Sequence, residues 1–165
     1  MYESAAINTY LGDKFRGRDG KADLVPAAGT RERGRYEQLT MCIQAELDAQ
    51  GLWIHRKHEA LAHMCGECPV AVAHAKAHSA RTVGILAAEL RAQGGPFLLG
   101  PNFSAADILF VHCCNWAETI GWGEAWTVAP KDDDANMQAL ASYLARCRGR
   151  AAFERTKEMR AAENR

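Results

Sequence analysis

The stretch Phe103-Ser104-Ala105-Ala106-Asp107-Ile108 decides the fold class, because three helix-start signals coincide within it. Ser104 offers an N-cap hydroxyl. Asp107 stands at the third helical position, where its carboxylate reaches back to the Ser104 N–H, and Phe103 and Ile108 occupy the two positions of a hydrophobic staple. Asp replaces the commoner Glu or Gln, and its shorter side chain still allows the reciprocal bond. The spacing predicts a central helix from Ser104 to about Gly121, with a cap that contributes about 1 kcal/mol.

Outward from this helix the apolar residues keep a 3.6 period, and no alternating β-branched run flanked by turn residues interrupts them. An all-α bundle of about five helices is expected. Toward the N-terminus, Pro69 suits the first position of a helix and Arg91, Gly94, Gly95 and Pro96 supply its basic last turn and stop, giving a helix over Pro69 to Gln93. Ala73, Ala77, Ala80, Gly84 and Ala87 form a small-residue stripe on it, and Val83, Leu86 and Leu90 a bulky one. Burial on two sides is the expectation, with close helix approach along the small stripe. Before it, Thr30 is an available N-cap for a helix whose core stripe is Tyr36, Leu39, Ile43 and Leu47, widened by Met41, Cys42 and Ala45. Gly51 kinks that helix, which continues to about His63. Toward the C-terminus, Asp132, Asp133 and Asp134 suit a positive helix start, Met137, Leu140, Leu144 and Cys147 form a core stripe, and Arg146, Arg148 and Gly149 end it. Arg150 to Asn164 reads as a short amphipathic helix carrying Phe153 and Met159.

Composition bounds the function. The 165 residues are 48% hydrophobic and 24% charged, enough apolar content for a core. With 20 Lys+Arg against 20 Asp+Glu the formal net charge is +0, so no overall field favours a nucleic-acid backbone or an anionic membrane. Neither a spanning segment nor a secretion signal is legible, which points to the cytoplasm, where the 6 Cys are reduced thiols packed as small hydrophobes.

The run Gly95-Pro96-Phe97-Leu98-Leu99-Gly100-Pro101-Asn102-Phe103-Ser104-Ala105-Ala106-Asp107-Ile108 resembles the signature that opens the central helix of the all-helical C-terminal domain in cytosolic glutathione S-transferases. Tyr2-Glu3-Ser4-Ala5-Ala6-Ile7-Asn8-Thr9-Tyr10-Leu11 resembles the motif that leads into the last helix of that family's thioredoxin-like domain. The resemblance implies residues 1–18 as the remnant of the thioredoxin-like domain, 19–29 as linker and 30–165 as the helical domain. It implies a transferase that conjugates glutathione, as substrate, to a small hydrophobic electrophile, with no metal. It also implies a homodimer when full length. The thiol-activating residue belongs to the part that the chain lacks, so no catalytic residue is expected within it, and the chain alone is expected to be inactive.

Glu3 and Ser4 would bind the γ-glutamyl ammonium and carboxylate; an acid and a hydroxyl at a helix N-terminus suit both ends of a zwitterion. Read without the resemblance, the pair is a plain N-cap with a favourable first-turn charge. Tyr36, Thr40 and Gln44 are polar-edged candidates for the electrophile pocket, or else packing residues. His112 and Trp116, one turn apart on the central helix, are further candidates, with core packing as the other reading. Trp122 and Trp126 line a pocket or lid the end of the bundle. Cys65-x-x-Cys68 has half-zinc-site spacing, with His55, His58, His63, His74 and His78 around it, yet the resemblance needs no metal there. A noncatalytic helical domain of the same fold, used for protein–protein association, is the alternative function. The segment up to about Gly20 is expected to fray, exposing Tyr2, Ile7, Tyr10 and Leu11 as an apolar edge.

Overall fold

The computed structural model describes residues 1–18, 23–127 and 134–163. Helix α1 (Ser4–Lys14) precedes α2 (Arg31–Cys42), whose N-cap Thr30 accepts the Arg33 N–H at 3.1 Å. Beyond α2 the same rod widens into a π-helical segment (Ile43–Leu52), one α turn, α3 (Trp53–His55), and a second π segment (Arg56–Ala60). After Leu61 comes α4 (Ala62–Cys65), and then α5 (Pro69–Gln93). Helix α6 (Ala105–Thr119), the short α7 (Glu124–Thr127), α8 (Ala135–Arg148) and α9 (Ala151–Glu163) complete the chain. No strand occurs among the described residues.

Helix α6 is central. It touches α1, α2, the first π segment and α8, and nine of its residues are buried. The expected capping box is present, and the structure adds to it. Asp107 is fully buried, and its Oδ2 accepts from the Ser104 N–H at 2.7 Å and the Ser104 hydroxyl at 2.8 Å. Its Oδ1 accepts from the Leu98 N–H at 2.9 Å and the Tyr143 hydroxyl at 2.9 Å, so one carboxylate joins the α5–α6 loop, the start of α6 and the middle of α8. Burial pushes the Asp107 carboxyl up from its ordinary value, and these four donors pull the other way. The staple is different from the one expected. Phe103 meets Phe97 edge-on, ring centroids 5.4 Å apart, while Ile108 is 41% exposed, because the turn at Gly100 (φ +90°) folds Phe97 back toward the start of α6.

The small-residue stripe on α5 is corrected. Ala75, Ser79, Thr82, Val83, Leu86, Ala87 and Leu90 are its buried residues, whereas Ala73, Ala77 and Ala80 are exposed. The bulky stripe takes the core contacts with the first π segment and α8, which rotates the small stripe outward. Close approach occurs instead at Gly51, where an added Cβ would meet Ser79 Oγ at 2.1 Å. That glycine lies inside the π segment, and the helical rod continues past it to Ala60. Met41, expected to widen the core stripe, is 54% exposed. Asp134 caps α8, accepting the N–H groups of Asn136 and Met137, while Asp132 and Asp133 lie outside the described residues. Cys113, Cys114 and Cys147 are buried as expected, Cys42 and Cys68 half-buried, and Cys65 exposed.

Helix α1 docks on the bundle where fraying was expected. Ala5 is buried, Thr9 Oγ1 lies 2.8 Å from the Tyr36 hydroxyl, and both Asp13 oxygens accept from Arg33 at 3.0 Å. The buried Val25 side chain sits where a Gly12 Cβ would be, its Cγ2 at 2.2 Å. A residue without a side chain is what lets the 23–29 stretch close over the helix. The outer face of α1 is apolar as expected, with Tyr10 46% and Leu11 43% exposed, while Ile7 is half-buried.

Candidate functional site

The start of α1 is chemically open. Glu3 is the N-cap residue, but its side chain caps nothing, and its backbone takes φ 67°, a left-handed conformation costly to a residue with a Cβ. Its Oε2 instead accepts from Gln44 Nε2 at 3.0 Å. Ser4 is the first helical residue and is exposed, so its hydroxyl stands beside first-turn N–H groups that no N-cap side chain satisfies. A carboxylate with one oxygen unbonded among the described residues, a hydroxyl and a positive helix end therefore share one corner. Such a corner holds an ammonium group on one side and a carboxylate on the other. It opens on a groove of about 630 Å³ between α1 and α2, lined by Glu3, Ala6, Thr9, Met41 and Gln44 among others.

The pocket candidates divide. Gln44 reaches this corner through its bond to Glu3. Tyr36 and Thr40 are fully buried, so they are core residues and cannot meet an electrophile. Their place on the inner stripe of α2 explains it: Tyr36 turns its hydroxyl to Thr9 on α1, and burial pushes that phenol's pKa up. His112 is exposed on α6, at the rim of a separate cleft of about 320 Å³ between α6 and α9. Trp116 is half-buried, its ring 6.3 Å from His112 and 6.5 Å, edge-on, from Trp53. Trp126 is a buried cover on the bundle, its indole N–H donating to Glu118 at 2.8 Å. Trp122 packs against the core and stacks edge-on to His55.

One functional candidate escapes the sequence reading. Asp48 lies in the first π segment with Oδ1 buried and without a hydrogen-bond partner among the described residues, and burial raises its carboxyl pKa while the charge of His112 opposes the rise and that of Glu3 adds to it. The signal available was its spacing of four from Gln44. Glu3, Gln44, Asp48 and His112 thus mark a polar seam from the start of α1 to α6. Nearby, Cys113 is pushed up to about 12 by burial and by the Asp48 charge, so its thiol is inert. Around Cys65 and Cys68, no cluster of three metal-binding side chains forms among the described residues.

An all-α domain built on a capped central helix, with an open helix start beside it, defines the class. Residues 69–146 match the family model for the glutathione S-transferase C-terminal domain. The matched stretch runs from the start of α5 through α6 into α8. In fold it is similar to a glutathione transferase from Methylococcus capsulatus, with TM-score 0.72, 22% identity, and coverage of 98% of this chain and 68% of that one. It is likewise similar to BphK, a bacterial glutathione transferase whose structure is a ternary complex (TM-score 0.69, 22% identity, 93% of this chain, 65% of that one). A third likeness is to the transferase URE2P8 of Phanerochaete chrysosporium, whose structure holds oxidized glutathione (TM-score 0.70, 22% identity, 100% of this chain, 68% of that one). The chain thus spans about two thirds of the length of these proteins. A sequence comparison with curated proteins found no match.

Proposed function

We propose that this chain is the helical portion of a glutathione S-transferase that conjugates glutathione to a small hydrophobic electrophile. In this reading residues 1–18 belong to the end of a thioredoxin-like domain, 19–29 form the linker and 30–165 the helical domain, and the complete protein is a cytoplasmic homodimer. The observation that carries the reading is the uncapped start of α1, where Glu3, held by Gln44, and the exposed Ser4 present matched groups to a γ-glutamyl zwitterion. The charged side chains lining the groove at that corner are acids, Glu3, Asp13 and Glu37, and acids disfavour a thiolate. Activation of the thiol therefore falls to a group outside these residues, in the thioredoxin-like part of the fold.

The assay is conjugation of glutathione to chlorodinitrobenzene. The 165-residue chain should turn over at the uncatalysed rate. Joined to a thioredoxin-like domain bearing a thiol-activating residue, it should exceed that domain alone by at least about tenfold, since positioning of the second substrate is what the helical part adds. Full turnover by the isolated chain would show that the thiol-activating group lies within it. The alternative, a noncatalytic association domain, draws on the exposed apolar side chains Val70 and Ile85 of α5 and Met41 of α2. No gain in the joined protein would favour it.

A further inference from the structure

The first π segment and α6 pack along a seam that the γ-glutamyl reading uses only at one end. Hydrogen bonds in a π turn run from residue i to i+5, so side chains four and five positions apart stack along it. Gln44, Asp48 and Trp53 therefore form one row on the rod. On α6, His112 and Trp116 form a second row at the ordinary spacing of four. The indoles of Trp53 and Trp116 join the two rows at one end, edge-on with centroids 6.5 Å apart, and the Arg56 guanidinium lies over Trp53 at 4.9 Å and holds that ring. At the other end Gln44 donates to Glu3 at 3.0 Å, so the seam leads to the corner at the start of α1.

Asp48 stands between the indoles and that corner, and its Oδ1 is buried without a hydrogen-bond partner among the described residues. A buried carboxylate oxygen that lacks a donor costs stability, and a leucine in the same place would pack without that cost. The Gln44 amide, one turn away, is engaged with Glu3. An acid held against stability in a row with an indole suits a ligand that brings a ring and a donor together.

We propose that Asp48 sets the class of electrophile: an aromatic ring lies against Trp53 and Trp116, and a hydroxyl or amino group on that ring donates to the Asp48 carboxylate. That the occupant is an electrophile rests on the glutathione reading; that it is a donor-bearing ring rests on Asp48 and the two indoles alone. A ring without a donor leaves the carboxylate oxygen unpaired, and a ring bearing a carboxylate meets Asp48 and Glu3 as like charges.

The test is calorimetric titration of the full chain with naphthol and with its methyl ether, which differ in the single donor. The naphthol should bind at least about tenfold more tightly. Asp48→Leu should bring the two compounds to equal affinity while raising the melting temperature by ~2 to 4 °C, a pairing of effects that a structural role for Asp48 would not give. Asp48→Asn, which keeps an acceptor oxygen, should retain part of the preference, and Trp116→Ala, at a half-buried position, should weaken both compounds alike. Equal affinity in the parent, a preference that survives Asp48→Leu, a fall in melting temperature on that substitution, or full binding by Trp116→Ala would each overturn the proposal. The titrations are repeated with saturating S-methylglutathione, which should bind alongside the naphthol. Competition between the two would place the naphthol in the γ-glutamyl corner and overturn the proposal, whereas failure of S-methylglutathione to bind would overturn the glutathione reading and leave the Asp48 result standing.

Discussion

At the scale of single residues, Asp107 carries more than a helix cap. A cap of this kind contributes about 1 kcal/mol, but removing the carboxylate here strands the Leu98 and Ser104 N–H groups and the Tyr143 hydroxyl, each buried. Each stranded donor costs about 1 kcal/mol or more, so Asp107→Ala should lose roughly 3 to 5 kcal/mol by denaturant melting. Asp107→Asn, which keeps one acceptor oxygen, should fall between the variant and the parent. A loss near 1 kcal/mol for Asp107→Ala would mean that the carboxylate only caps α6. The cap itself is legible in the sequence, since it depends on a local spacing. The bonds to Leu98 and Tyr143 are not, because they join residues that only the folded bundle brings together. The same distinction governs the site: Glu3 and Ser4 are read from a local motif, whereas Tyr36 and Thr40 look like pocket residues until the docking of α1 and the packing of the core bury them.

At the scale of elements, α1 is the test of how far local rules reach. A short helix with a frayed linker is the expectation from entropy alone. The structure ties it through Asp13 and Arg33, through Thr9 and Tyr36, and through the gap left by Gly12. Hydrogen exchange should therefore show Ala5 to Leu11 protected, and Gly12→Ala should lose that protection. Alanine is favoured over glycine in a helix by about 1 kcal/mol, but an added Cβ clashes with the stiff, buried Val25, and overpacking of this kind costs about 1 to 3 kcal/mol. Acid should loosen the docking too. The hydrogen bond from Arg33 holds the Asp13 carboxyl below its ordinary value, so its contribution is present above the unfolded carboxylate range and is lost as pH falls through the folded one. Asp107 has the opposite sign, its raised pKa favouring the folded state at low pH, so an acid-induced loss confined to α1 points to Asp13. Fast exchange in α1 of the parent at neutral pH would contradict the docking. Elements whose ends are marked by Pro or a cap, α5 and α6 above all, are legible in sequence to within a residue or two. The π segments are not, because the spacing of four that joins Ile43, Leu47 and Gly51 suits an α turn as well as a wider one.

At the scale of the whole molecule, the fold gathers Glu3, Ser4, Gln44 and Asp48 about the open start of α1. Helix α6 supports α1 from below, the π segment brings Gln44 and Asp48 alongside its start, and the open first turn faces outward. The central claim is that this corner recognises the γ-glutamyl end of glutathione without touching its thiol. Titration of the chain with glutathione, S-methylglutathione and cysteinylglycine tests it most directly. Glutathione and S-methylglutathione should bind with equal affinity, cysteinylglycine should not bind, and Glu3→Gln or Ser4→Ala should each weaken glutathione by about tenfold, which corresponds to roughly 1.4 kcal/mol. Binding that survives both substitutions, that demands a free thiol, or that fails for glutathione itself would contradict the claim.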